Sequence, residues 1–248
     1  MELQDQIIIV TGASSGIGEA TAEKLAAHGA KVVITARRED RLQELKEKIE
    51  SNGGKALAIT ADVTSKEDWN KIIQQTSETF GDATALVNNA GLMPLSFVKK
   101  LKTDEWEKMV DVNIKGVLNG VAAVLPKMMD HKQGHIINIS SVAGRKVYPG
   151  GAVYSATTFA VRAFSEGLRS ELAPEFNIRV TSIEPGAVDT ELTNTITDDD
   201  VRENIMKPML DIEPLQSNDI AESILYALRQ PEHVNVQELM VMPTEQQG

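Results

Sequence analysis

With 248 residues, 42% hydrophobic and 25% charged, the chain has ordinary globular composition and length enough to bury a sizeable core in one large α/β domain or two small ones. Its 25 basic and 36 acidic residues leave a net charge of -11, which disfavours nucleic acid and anionic membrane as partners and requires any phosphate to be held locally. Cysteine is absent, so disulfides and thiolate metal sites are excluded, and no metal site is expected.

The acidic opening Met1-Glu2-Leu3-Gln4-Asp5 lacks a long apolar run, and no stretch approaches the ~20 apolar residues of a membrane span. A cytoplasmic protein is expected. The first strand is the apolar run Ile7-Ile8-Ile9-Val10. It breaks into Thr11-Gly12-Ala13-Ser14-Ser15-Gly16-Ile17-Gly18 and then into an Ala/Glu/Lys-rich helix. Strand, glycine loop and helix in that order read as the opening of a nucleotide-binding βαβ unit. Gly12 permits the tight turn. Gly16 and Gly18 are expected to let a pyrophosphate approach the helix N-terminus, where free N–H groups and the helix dipole favour negative charge. The spacing is G-x-x-x-G-x-G rather than G-x-G-x-x-G, so the loop alone leaves a plain turn open.

Lys31–Thr35 follows as a second strand behind Gly29, which reads as a helix stop. Leu42, Leu45 and Ile49 form a helical stripe closed by Asn52-Gly53-Gly54, and Ala56–Thr60 is the third strand. Ser65 is the predicted cap of the next helix, whose face is Trp69, Ile72, Ile73, Thr76 and Phe80. Strand four is Ala83–Asn88 and strand five His135–Ser140. Between them one long helix is expected from about Thr103 to Asp130, bent by Pro126. The helix after Tyr154 carries Phe159, Ala160, Phe164, Leu168 and Leu172, and Ile178–Ile183 is strand six. Residues 191–216, with the run Asp198-Asp199-Asp200, read as a surface insertion without a clear strand. Ser217 is the predicted cap of a last helix, and Val234–Val241 a seventh strand. This alternation implies a single doubly wound domain over residues 1–248, a parallel sheet with helices on both faces.

Ligands of such sheets bind beyond the carboxyl ends of the strands. Polar or glycine-rich signals sit at six of those ends: Gly12–Gly18, Arg37-Arg38, Asp62-Val63, Asn88-Asn89-Ala90-Gly91, Ser140-Ser141 and Pro185-Gly186. Each by itself is an ordinary turn; six at one edge are hard to obtain from turns alone. Together with Asn113, Tyr154 thirteen residues after Ser141, and Thr190, they resemble the short-chain dehydrogenase/reductase family along nearly the whole chain. The resemblance implies a seven-stranded Rossmann-type sheet and, commonly, a homo-oligomer (tetramer or dimer) built through the long helices. It implies a nicotinamide cofactor contacted by Gly12, Ser14, Ser15, Gly16, Ile17, Gly18, Asp62, Val63, Asn89, Ala90, Gly91, Tyr154, Pro185, Gly186, Val188 and Thr190. It implies a carbonyl/alcohol substrate, with Tyr154 as general acid/base, Ser141 on the substrate oxygen and Asn113 in a proton relay.

Charge argues for the phosphorylated coenzyme, NADP(H). About ~20 residues past the glycines an NAD site usually offers a carboxylate. Here Ala36-Arg37-Arg38 offers two guanidiniums, suited to a 2′-phosphate, and Glu39 arrives only later.

One position departs from the pattern. The family's tyrosine is followed four residues on by lysine, whereas Tyr154-Ser155-Ala156-Thr157-Thr158 puts threonine there. Residues i and i+4 share a helix face, so Thr158 points where the lysine would. A threonine can still bond a ribose hydroxyl but brings no charge to lower the phenol pKa. The chain therefore reads as an oxidoreductase with turnover weakened or lost. The alternative is an inactive NADP(H)-binding sensor or interaction protein on the same fold. The Leu92–Val98 loop and 191–216 are expected to line the substrate pocket, with Met93, Pro94, Leu95, Tyr148, Val188 and Met206 as an apolar wall.

Overall fold

Strand β1 (Ile7–Thr11) is buried along its whole length. Ile8 and Val10 face one side, among Leu25, Leu42, Ile220 and Ile224; Ile7 and Ile9 face the other, among Trp69, Ile72, Val124 and Met128. A strand apolar on both faces suits only a sheet covered by helices on both sides. The computed structural model describes residues 3–4, 6–206 and 212–246.

Helix α1 (Gly16–Ala27) follows β1, then β2 (Lys31–Ala36), α2 (Glu39–Ser51), β3 (Lys55–Thr60), α3 (Lys66–Thr79) and β4 (Ala85–Asn88). Helices α4 (Thr103–Val110) and α5 (Gly116–His131) lead to β5 (Gly134–Ile139). Then come α6 (Ala152–Phe176), β6 (Ile178–Pro185), the two-residue strands β7 (Val188–Asp189) and β8 (Leu215–Gln216), α7 (Ser217–Leu228) and β9 (Glu238–Val241). Among the described residues, seven strands form one parallel sheet in the order β3-β2-β1-β4-β5-β6-β9. The chain winds outward from β1 to β3, returns to pair β4 with β1, and winds outward again. The strand order therefore reverses between β1 and β4, and a crevice opens beyond their carboxyl ends.

Most predicted elements lie where the periodicity puts them. Gly29 and Gly53 adopt φ of 92° and 82° just past the ends of α1 and α2, and the Ser65 hydroxyl accepts from Asp68 N at 3.1 Å. Several differ. The single helix expected over 103–130 is interrupted by a π-helical turn at Asp111–Lys115, while α5 continues through Pro126 to His131. Ser217 is the first residue of α7 and not its cap; Gln216 caps it, and Asp219 bonds back to Gln216 N at 2.7 Å. The last strand shrinks to Glu238–Val241, because the chain turns at 231–234 with Val234 N on Pro231 O. Strand β4 likewise starts only at Ala85.

The segment 191–216 is not a plain surface insertion. Leu215–Gln216 pairs in parallel with Val188–Asp189, and Asp198 is buried, accepting from Phe97 N at 3.2 Å. Its part at 207–211 lies outside the described residues. The helical stretch Thr103–His131 is long and apolar enough, by length and composition, to cross a membrane. In this fold its apolar side, with Met109, Val117, Val121, Val124 and Met128 buried, packs into the interior.

Trp69 joins this core to the rim. It is 1% exposed, and its indole N–H donates to Val63 O at 3.0 Å. Trp69→Ala is expected to lower unfolding free energy by about 3–5 kcal/mol, read from urea denaturation.

Candidate active site

The glycine loop is closed by the protein's own atoms. Thr11 Oγ1 accepts from Asn89 N at 2.9 Å and Ala90 N at 3.0 Å, and Asn89 Nδ2 donates to Thr11 O at 2.9 Å. Gly12 has φ of 65°, and a β-carbon there would lie 2.8 Å from Ala90 Cα. Gly18 has no room either: its β-carbon would overlap Gly12 O and stand 2.5 Å from Asn89 Nδ2. Gly16 has φ of 59° and faces the Thr190 methyl. Gly18 thus has a packing reason of its own, inside the loop, to lack a side chain. What faces the cleft is the start of α1, where Ser15 makes no side-chain capping bond to the first-turn N–H groups. Such a helix start fits a pyrophosphate.

Arg38 arches over that loop. Its Nε and Nη2 donate to Ser14 Oγ at 3.1 and 3.0 Å, Nη2 also to Ser15 Oγ at 2.7 Å, and Nη1 to Glu191 Oε2 at 2.8 Å. Hydrogen bonding from Arg38 and Ser15 holds the Glu191 carboxyl below its ordinary range. Both partners of the bridge are about half exposed, so it contributes only about 0–1 kcal/mol. Arg37 is exposed and has no hydrogen bond or ion pair among the described residues. Asp62, at the end of β3, accepts from Thr64 N and Oγ1, a short turn that leaves Val63 beside the cleft.

At the other end of the cleft stands Tyr154, on the first turn of α6. Burial pushes the pKa of its phenol up, and hydrogen bonding with Ser141 opposes the rise, while Ser141 Oγ donates to Pro185 O at 3.4 Å. Ser141 Oγ also accepts from Ala143 N at 3.1 Å, which fixes its rotamer. Asn113 lies in the π-helical turn, a deformation frequent at functional sites. Its Oδ1 accepts from Leu92 N at 2.8 Å, and its Nδ2 donates to Leu92 O at 2.9 Å and Thr157 Oγ1 at 3.1 Å. Thr157 in turn donates to Tyr154 O at 2.7 Å, so Asn113 ties the β4 loop to the helix carrying the phenol.

Thr158 lines the cleft, 5% exposed, with its hydroxyl turned back on Ser155 O at 3.0 Å and Tyr154 O at 3.3 Å. Among the described residues no cationic side chain stands beside Thr158. Arg145 is drawn away by Glu184 and Glu238, and Lys146 does not line the cleft. Among the described residues, the cationic side chains lining it are Arg37 and Arg38, at the opposite end.

The cleft holds about 550 Å³ and collects every proposed site residue except Gly18. Gly18 stands behind the loop. Strand β7 forms the far wall. The register of Val188 on Leu215, with Leu215 N on Ala187 O, turns the Val188 N–H and C=O away from β8. Met93, Leu95, Tyr148, Val188 and Met206 form an apolar wall as expected, while Pro94 is buried behind it. Leu95, Ile196 and Val201 form a small core of their own, against which Tyr154, Ile205 and Met206 pack.

The comparisons with known proteins agree with this geometry. A family model described as short chain dehydrogenase matches residues 6–201. The chain belongs to the short-chain dehydrogenase family. It is 49% identical over 247 residues to an uncharacterized oxidoreductase of Listeria monocytogenes, covering 99% of each chain. An uncharacterized oxidoreductase of Staphylococcus saprophyticus is 48% identical, with 98% of each covered. Among solved structures, the closed form of a serine dehydrogenase complexed with NADP+ is 36% identical, with TM-score 0.90 and 98% of this chain and 97% of that one covered. An alcohol dehydrogenase from the archaeon Thermococcus sibiricus complexed with 5-hydroxy-NADP is 29% identical, with TM-score 0.86 and 98% of both covered.

Among the cleft residues the sequence reading did not single out are Thr157 and Gln246; Glu191 lies in the segment expected to line the pocket, but its bridge to Arg38 appears only when the two arrive from distant elements. Gln246 reaches the cleft from the far C-terminus. Because Gly18 is packed against the loop's own backbone in this short-chain dehydrogenase, Gly18→Ala should destabilise the ligand-free protein by about 1–3 kcal/mol. Thermal melts without coenzyme test this; an unchanged melt would leave ligand clearance as its role.

Proposed function

We propose that this chain is an NADP(H)-dependent dehydrogenase/reductase that interconverts a carbonyl and an alcohol, with turnover weakened by Thr158. The observation that carries the reading is one cleft joining two groups of residues. The Arg38 fork sits on Ser14 and Ser15 at an uncapped helix start, and the Ser141–Tyr154 contact sits at the other end. The NADP-bound structural relatives support the coenzyme assignment.

When bound, the nicotinamide group supplies or accepts the hydride. The chain's own residues do the rest. The α1 start and the loop backbone hold the pyrophosphate, and Asp62, Val63 and Asn89–Gly91 flank the adenosine half. Arg37 and Arg38 take the 2′-phosphate, Arg37 most directly because Arg38 is already shared with Ser14, Ser15 and Glu191. Pro185, Gly186, Val188 and Thr190 receive the nicotinamide half. Ser141 donates to the substrate oxygen, and Tyr154 gives that oxygen a proton in reduction and takes it in oxidation. Asn113 fixes Leu92 and, through Thr157, the Tyr154 helix turn, and belongs to the path that resupplies the proton. The apolar wall favours a substrate with a hydrocarbon body beside its carbonyl. We include in this reading a cytoplasmic homo-oligomer, tetramer or dimer, since Val110, Leu118 and Phe159 on the long helices are exposed apolar residues.

A cation ~4–6 Å from a phenol lowers its pKa by roughly 1–3 units, and each unit corresponds to about 1.4 kcal/mol. Among the described residues no such cation lies at that end of the cleft, and burial raises the Tyr154 pKa further. Alcohol oxidation needs the phenolate, so its rate should climb with pH through an inflection above the ordinary phenol range. Thr158→Lys should raise turnover and move the inflection down by roughly 1–3 units, checked by kcat/KM profiles with a panel of alcohols. If both forms bind NADPH yet neither turns over any of a broad carbonyl panel, the second reading, a coenzyme-binding sensor, takes over. The uncharged Thr158 is what favours that reading.

Arg37→Asp should weaken NADPH by about 10–100-fold and NADH far less, measured by fluorescence titration. Equal losses for the two coenzymes would remove the 2′-phosphate assignment.

A further inference from the structure

The cleft's far wall depends on a residue from the opposite end of the chain. After β9 the chain turns, with Gln246 N on Pro243 O at 3.0 Å, and the Gln246 side chain folds back onto the segment following β6. Its Oε1 accepts from Ala187 N at 2.8 Å. The Gln246 carboxamide also fills the space a β-carbon on Gly186 would need: that carbon would overlap Oε1 and stand 3.1 Å from Gln246 Cδ. Pro243 Cδ would stand at 3.1 Å as well, so a side chain on Gly186 would have to push the Gln246 carboxamide off Ala187. The Gly186 N–H is held by Val241 O at 2.8 Å, and Ala187 O by Leu215 N at 3.0 Å. Gly186 N, Ala187 N and Ala187 O are thus all engaged by Val241, Gln246 and Leu215. The Val188 N–H and C=O are left facing the cleft as an adjacent donor and acceptor.

We propose that Gln246 is a positioning residue for the coenzyme: by clamping Gly186 and Ala187 it sets the depth at which Val188 presents its donor–acceptor pair. A carboxamide is the chemical group that such a pair matches, since it returns one acceptor and one donor in a plane. The coenzyme's nicotinamide end carries one. This inference rests on the reading of the cleft as a nicotinamide-coenzyme site. Gln246 touches neither substrate nor reacting atoms in that reading. Its effect passes through the backbone of 186–188.

The test uses the whole chain and two ligands. NADPH spans the cleft, whereas 2′,5′-ADP carries the adenosine half and the 2′-phosphate but no nicotinamide. Gln246→Ala should weaken NADPH about 5-fold by fluorescence or calorimetric titration and leave 2′,5′-ADP affinity unchanged. Gln246→Glu keeps an oxygen that accepts from Ala187 N–H, and should recover most of the loss. Gly186→Ala should weaken NADPH in the wild-type background and less so in the Gln246→Ala background, because the crowding atom is gone. NADPH affinity unchanged by Gln246→Ala would overturn the proposal. So would equal losses for NADPH and 2′,5′-ADP, which would mark a merely structural tail. If the unmodified chain bound neither ligand, the coenzyme reading itself would fail, a result distinct from either of these.

Discussion

The cleft exists because β1 and β4 lie side by side in the sheet while the chain leaving each one must turn in a different direction. Thr11 and Asn89 stitch those departures together. One hydroxyl accepts two successive backbone N–H groups, and one amide donates back to the strand end. With the loop drawn that close to Ala90, no β-carbon fits at Gly12 or Gly18. The start of α1 is then left facing outward with its first-turn N–H groups uncapped. This outward-facing helix start follows from strand order and two hydrogen-bonding side chains, without a concentration of positive charge. That suits a chain whose net charge is -11.

Charge within the cleft is uneven. Arg37 and Arg38 stand at the glycine-loop end, while among the described residues the Tyr154 end has hydroxyls and amides and no cation. The nearby arginines Arg145 and Arg162 are committed to Glu184, which is fully buried and would be costly to leave unpaired. Neither of these arginines therefore brings charge to Thr158. Burial holds the Tyr154 phenol above its ordinary range at that uncharged end.

The segment after β7 has a similar logic. Thr195 accepts from Met93 N at 3.2 Å and Asp198 from Phe97 N, so the 191–206 stretch is stitched to the loop after β4. The two stretches together make the small apolar cluster that backs Tyr154. A weak exposed bridge from Glu191 to Arg38 then links that cover to the coenzyme end.

Much of this was legible in the residues. β-Branched runs alternating with helical stripes define seven parallel strands, because a strand apolar on both faces has few other homes. Six polar or glycine-rich turns at the carboxyl ends mark one rim, and Thr158 is placed on the Tyr154 face of its helix by the four-residue spacing. These are local signals, carried within about a turn or a strand of sequence. What needed the tertiary structure were contacts between distant segments: the Gln246 carboxamide on Ala187, the Glu191 bridge to Arg38, the Asn113 grip on Leu92, and the burial of Asp198. The π-helical turn at 111–115 and the packing reason for Gly18 belong to the same group, since both depend on what packs against them. Periodicity records which face of an element is apolar. It does not record which remote side chain will fill the space beside it, and in this protein that second kind of information shapes the far wall and the cover of the cleft.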